Sequence, residues 1–191
     1  MLSALEKHGC SKLKKVHFVK YYFPQQGMVT FGHMNYPELI KSGYVSREFD
    51  QTAYKFCFSR NPYDRAVSLF FYLKNIDRVP QSMAFLEFCR QLHDKGCEDI
   101  GLYNLNGWSQ CNPQVRWIES VKIDFIGRFE SLENDFNRIL NDLKLQPVEL
   151  PHHNITNHKH YSSYYCKESR EIIQNFYQED FQFFGYDKHS L

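Results

Sequence analysis

Three residues in one short block have the types and spacing for anion chemistry: Arg60, Arg65 and Ser68, in RNPYDRAVS. The block follows an apolar run, Ala53 to Ser59, that reads as a buried strand, and Pro62 opens a helical pattern reaching Asn75. Arg60 thus falls at the carboxyl end of a strand, facing the start of a helix. A helix N-terminus offers unpaired N–H groups and positive potential, and a guanidinium adds a planar two-pronged donor. Pro62 suits the first turn because its missing N–H would be unpaired there anyway. Arg65 and Ser68 share one helix face. This arrangement can hold a phosphate; the same residues also suit an ordinary strand-to-helix turn carrying surface arginines.

Other polar groups have weaker patterns. His33 ends a run of apolar and small residues, Met28 to Gly32. A neutral imidazole, with an ordinary pKa of about 6.5, can take a proton at neutral pH, and it can equally be a strand-end histidine satisfied by backbone. His152, His153, His158 and His160 crowd one polar stretch, PHHNITNHKHYSSYY. No Asp, Glu or Cys completes a familiar metal spacing there, so no metal is expected and a solvated loop is the alternative. Gln114, Arg116 and Trp117 follow Pro113; an arginine beside aromatics suits carboxylated or sulfated sugars through charge and ring stacking. The alternative is a helix with Trp117 and Ile118 in the core. Arg128, with Glu130 after it, reads as structural, and Lys12, Lys14 and Lys15 as a solvated face.

The elements that must position these groups alternate. The patterning predicts helices at 2–8, 36–42, 62–75, 82–93, near 113–120, at 131–144 and from about 167 to 184, and strands at 15–20, 28–33, 53–59 and 123–127. That alternation implies an α/β fold, a mostly parallel sheet covered on both faces in three layers. Ligands in such sheets bind beyond the carboxyl ends of the strands, where His33, Arg60 and Arg128 fall. The Gly- and Asn-rich stretch 94–112 has no periodicity and reads as a loop suited to covering a binding site. A chain of 191 residues, with 42% hydrophobic and 17% aromatic content, suits one folded domain. Net charge is +1, so no global basic field points to nucleic acid or a membrane surface. No run approaches the roughly 18 apolar residues of a membrane helix. The cysteines at 10, 57, 89, 97, 111 and 166 form no C-x-x-C pair, which disfavours structural zinc, and reduced thiols are expected.

The Arg60–Ser68 block resembles the R-x-P-x-x-R-x-x-S signature of sulfotransferases, most closely the carbohydrate branch with the heparan, dermatan and chondroitin O-sulfotransferases. FIGRFESLENDFNRIL (125–140), FYQEDFQFFGYD (176–187) and TFGHMNY (30–36) resemble further family segments, so the likeness covers about 29–187. The resemblance implies a P-loop-like α/β domain that binds 3′-phosphoadenosine 5′-phosphosulfate (PAPS) and releases 3′-phosphoadenosine 5′-phosphate (PAP), without a metal. Carried over, Arg60 and Ser68 hold the donor's 3′-phosphate, and Arg65, the signature's second arginine, is a further donor-binding residue. His33 matches the general base of the glycan O-sulfotransferases. Asn154, His158 and Lys159 fall on a loop closing over the donor nucleotide, and Gln114, Arg116 and Trp117 line the acceptor groove.

The family also opens with a strand and a Pro-Lys-x-Gly-x-Thr-Ser loop gripping the 5′-phosphosulfate. No such segment occurs in these residues, and MLSALEKHG resembles the helix that follows it. The expectation is therefore a single sulfotransferase domain lacking its first strand and loop. Its function is sulfuryl transfer from PAPS to a carbohydrate-type hydroxyl; the alternative is a non-catalytic PAP- or glycan-binding pseudoenzyme. A nucleotide kinase or GTPase is disfavoured because no G-x-x-x-x-G-K-[ST] occurs. The cysteines, read as free thiols, and the absent anchor point to a bacterial cytoplasm, with a Golgi lumen as the alternative.

Overall fold

A computed structural model of the chain describes residues 35–41, 43, 45–95, 110–150 and 158–191. Its elements, in order, are α1 (Tyr36–Lys41), α2 (Arg47–Thr52), β1 (Phe56–Ser59), α3 (Pro62–Asn75), α4 (Phe85–Lys95), a 3-10 turn (Gln114–Trp117), β2 (Phe125–Arg128), a second 3-10 turn (Phe129–Ser131), α5 (Leu132–Asp142), a third 3-10 turn (Tyr161–Tyr164), α6 (Lys167–Phe176) and α7 (Gln178–Phe184). The described residues form two compact units: 35–60 with 118–150, and 61–95 with 110–117 and 158–191. The predicted helix 2–8 and strands 15–20 and 28–33, with His33 and Asn154, lie outside the described residues.

The first unit is built on a parallel strand pair. Phe56 lies opposite Phe125, and Ser59 opposite Arg128. Lys55 extends the pairing: its N–H donates to Asp124 Oδ2 at 2.8 Å, and its carbonyl accepts from the N–H groups of Asp124 (2.8 Å) and Phe125 (3.2 Å). Phe56, Phe58 and Phe125 pack on the buried Phe136, Ile139 and Leu140 of α5, joined by Tyr54, Leu145, Val148 and Leu150. Burying aromatic and aliphatic side chains of this size is worth roughly 1.5–3 kcal/mol each. Mixed helix with parallel strands agrees with the α/β reading.

Gly127 faces Phe58 across the register, and a Cβ there would lie 2.5 Å from the Phe58 ring. The strand pair needs glycine at this point because the ring occupies a side chain's space. Gly127→Ala is expected to cost about 1–3 kcal/mol, the usual price of overpacking. A thermal melt reads this directly, and an unchanged midpoint would contradict the packing.

Several boundaries differ from the sequence reading. The strand begins at Phe56 rather than Ala53, because Ala53 closes α2 with its N–H on Phe49 O at 2.8 Å. Helix α2 itself is unanticipated. It is locally held: Ser46 Oγ accepts the Phe49 N–H at 3.1 Å and Thr52 Oγ1 donates to Glu48 O at 2.9 Å. The predicted helix near 113–120 is the 3-10 turn Gln114–Trp117, and Trp117 and Ile118 are half-buried instead of in the core.

The second unit is helical. Helix α3 starts where Asn61 accepts the Tyr63 N–H at 2.9 Å and Pro62 takes the first turn. It buries Tyr63, Ala66, Val67, Phe70 and Leu73 along one face. Edge-on aromatic contacts lock that face: Tyr63 to Phe181 at 5.0 Å, Tyr63 to Tyr165 at 5.1 Å and Phe70 to Phe85 at 5.5 Å between centroids. Helix α7 stops at Gly185, whose φ of +66° is a left-handed cap that glycine adopts without strain.

Cys57, Cys89, Cys111 and Cys166 lie in unlike environments. Burial pushes the Cys57 thiol up to about 11 and raises Cys89 further still, with the neighbouring Cys166 a smaller contributor. Cys166 is exposed before α6, and hydrogen bonds from Ser169, backbone first and then side chain, hold it below the usual thiol value. Of these four, Cys166 is expected to alkylate first at mildly alkaline pH, at least about tenfold faster than Cys57. Peptide mapping of iodoacetamide adducts checks this, and earlier labelling of Cys89 would contradict it.

Candidate functional site

In the first unit, the carboxyl ends of β1 and β2 carry Arg60 and Arg128 on neighbouring strands. The Arg60 guanidinium lies 4.4 Å from the centroid of the Phe129 ring. Stacking uses the face of a guanidinium, while its N–H bonds lie in the plane, the direction from which a phosphate is bound. Ser59 is buried and its hydroxyl donates to Gly127 O at 3.4 Å, tying the two strand ends together. Beyond β2 the backbone is fixed by Asp135, whose Oδ2 accepts the Arg128 N–H at 2.7 Å and the Ser131 hydroxyl at 2.8 Å. The Arg128 N–H is the main cause of the depressed Asp135 pKa, with the Ser131 hydroxyl and Arg138 charge assisting. Asp135 thus holds the bend that carries Phe129 beneath Arg60.

In the second unit, α3 carries Arg65, Ser68 and Phe71 at three-residue intervals along one side. Arg65 Nη2 donates to the carbonyls of Gln110 (2.7 Å) and Asn112 (2.8 Å), and the guanidinium lies 5.1 Å from the Tyr177 ring centroid. Ser68 is half-buried one turn further on. Phe71, the next turn, stacks on the His158 imidazole at 5.3 Å between centroids and 16° between planes. His158 Nδ1 is within 2.7 Å of Lys159 O, and the Lys159 N–H donates to Tyr164 Oη at 3.0 Å. His158 is therefore brought to the helix that bears Ser68, while Lys159 is exposed beside it.

The 3-10 turn Gln114–Trp117 is anchored on α7. Asp180, wholly buried, accepts the N–H groups of Gln114 (2.8 Å, Oδ2) and Val115 (2.9 Å, Oδ1), and Gln114 Nε2 lies 3.3 Å from Oδ2. Arg116 pairs with Glu179 at 3.4 Å, both about half exposed, a pair that contributes little to stability. Tyr177 Oη donates to Cys111 O at 2.8 Å. Gln114, Arg116 and Trp117 thus stand together on one turn.

Phe129, Tyr177, Glu179 and Asp180 touch the candidate site residues, and the sequence reading assigned them no role. Tyr177 and Asp180 lie in a recognisable C-terminal segment, but nothing in an amphipathic pattern marks an acid as buried. Among the described residues no group of three or more His, Cys, Asp or Glu is placed to hold a metal ion, and no helix is long and apolar enough to cross a membrane.

A model of the sulfotransferase family matches residues 13–187. An uncharacterized protein of Archaeoglobus fulgidus is 30% identical over 95 residues, which is 50% of this chain and 70% of that protein. No solved structure matches the chain.

Proposed function

The chain belongs to the sulfotransferase family, and on that premise we propose that it moves a sulfuryl group from PAPS to a hydroxyl of a carbohydrate acceptor, releasing PAP. The observation that carries this reading is Arg60 at the carboxyl end of β1, stacked on Phe129, immediately before a helix capped by Asn61 and opened by Pro62. Anion recognition at a strand end is where an α/β protein presents it. Arg60 and Ser68 hold the 3′-phosphate of the donor. His158 and Lys159, with Asn154, border the nucleotide; the His158 stack on Phe71, one turn past Ser68, supports that placement. Gln114, Arg116 and Trp117 face the acceptor.

In the reaction the acceptor oxygen attacks sulfur in line. An O–S bond forms as the S–O bond to the 5′-phosphate breaks, and that electron pair leaves on PAP. The hydroxyl proton passes to the neutral His33 imidazole, whose Gly-His position before the signature block supports the assignment. No metal takes part in these steps.

The test is transfer of radiolabelled sulfuryl from PAPS to unsulfated heparosan, chondroitin and dermatan, with PAP formation followed in parallel. Label in one polysaccharide with equal PAP release is the expected result. PAP binding without transfer to any of them would replace the enzyme by a non-catalytic nucleotide- or glycan-binding module.

A further inference from the structure

We propose that Arg65, Tyr177 and Asp180 form a clamp that fixes residues 110–115 and so sets acceptor recognition, with Arg65 a positioning residue instead of a donor ligand. The inference rests on the reading that Gln114, Arg116 and Trp117 face the acceptor.

Residues 110–113 have no regular secondary structure, so their polar groups need partners from elsewhere. Side chains supply them one after another. Arg65 takes the carbonyls of Gln110 and Asn112, Tyr177 takes that of Cys111, and Asp180 takes the N–H groups of Gln114 and Val115. Pro113 has no N–H to satisfy. Cys111 and Asn112 are buried beneath these contacts, Cys111 completely. A segment held this way has one conformation, set by three side chains, and the acceptor-facing turn begins where the clamp ends.

The clamp is also internally braced. The Arg65 guanidinium lies against the Tyr177 ring, and Tyr177 is wholly buried three residues before Asp180. An arginine committed through Nη2 to two carbonyls has that edge of its guanidinium turned toward the protein backbone. Among the described residues Arg65 Nη1 and Gln110 Nε2 are buried with no hydrogen-bond partner, and a lysine ammonium has no planar face to lie against the Tyr177 ring as the guanidinium does. Ser68, one turn along α3, is the group left to meet the donor. Helix α3 would then serve the donor through Ser68 and the acceptor side through Arg65.

The experiment uses the full chain with Asp180→Asn and Arg65→Lys. Both variants keep size and leave at least one contact, so the fold is expected to survive; amide exchange of Gln114 and Val115 reports the clamp itself. PAP affinity is measured by calorimetry, and acceptor KM, kcat and binding with heparosan, chondroitin and dermatan. The clamp predicts faster exchange at Gln114 and Val115 and an acceptor KM raised about tenfold or more, while kcat and the PAP dissociation constant stay within about twofold. If PAP affinity falls in step with acceptor affinity in Arg65→Lys, Arg65 is a donor ligand and the inference is wrong. If exchange accelerates but acceptor binding and KM do not move, the clamp holds a segment that does not read the acceptor, and the proposed function stands without it. If the unaltered protein neither binds nor sulfates any of the three polysaccharides, the acceptor reading fails and the clamp's role fails with it.

Discussion

Arg60→Ala is expected to weaken PAP binding by about a hundredfold and to lower kcat/KM for PAPS by a similar factor. Hydrogen bonds to charged groups contribute roughly 1.5–3 kcal/mol, and a guanidinium meeting a phosphate makes more than one of them. Stacking on Phe129 holds the guanidinium plane at the strand end before any ligand arrives, so little side-chain entropy remains to be lost on binding. Alanine removes both the charge and the fork. Lysine restores the charge as a point without the fork or the stack, and should recover only part of the affinity. Phe129→Ala separates the two contributions: it removes the stack, leaves the charge, and should cost less than Arg60→Ala. Calorimetry with PAP measures all three variants. Unchanged affinity in Arg60→Ala would mean the 3′-phosphate is held elsewhere.

His33→Ala carries the second large effect, on rate instead of binding. Removing a general base costs about a hundredfold to ten-thousandfold in kcat. In the proposed reaction His33 acts on the acceptor proton and Arg60 on the far phosphate of the donor, so the two substitutions should separate. PAP affinity is expected to stay within about twofold in His33→Ala while sulfuryl transfer falls to near background. In the proposed reaction the base is active as neutral imidazole, so in the unaltered protein kcat/KM should show an acid limb, falling as the solution is acidified. In His33→Ala that limb should disappear. Full transfer activity in His33→Ala, or a retained pH limb, would assign the proton to another group.

Much of the local structure was legible where the signals are covalent or periodic. Helix α3 was read from Pro62 to Asn75 because Asn61-Pro62 is a start signal and its apolar face repeats at helical spacing. Strand β2 was placed to within two residues because FIGR is bounded by polar turns. Helix α5 was drawn to 144 but closes at Asp142; Lys144 takes a positive φ of 57°, an ending with no glycine to announce it. Helix α2 was missed because REFDQT has a single aromatic residue, Phe49, which is 59% exposed, so no buried periodicity exists to detect. The turn at Gln114–Trp117 looked like a longer helix because its polar tethers come from α7, more than sixty residues away in sequence.

The site shows the same division. Arg60, Arg65 and Ser68 could be singled out as a candidate anion site because of their offsets around a strand-to-helix junction, while the donor role proposed for Arg60 and Ser68 comes from the resemblance to the family signature. The bonds of Arg65 to two carbonyls, the ring beneath Arg60 and the burial of Asp180 could not be, because each depends on which distant segment arrives beside it. An aspartate one residue from an exposed glutamate offers no sequence sign that it is the one turned inward.

The most direct measurement of the central claim is calorimetric titration of the unaltered protein with PAP and, separately, with adenosine 5′-monophosphate, which differs from it by the 3′-phosphate. A strand-end site in which Arg60 and Ser68 hold that phosphate predicts PAP binding at least about a hundredfold tighter. Equal binding of the two nucleotides, or of neither, would contradict it.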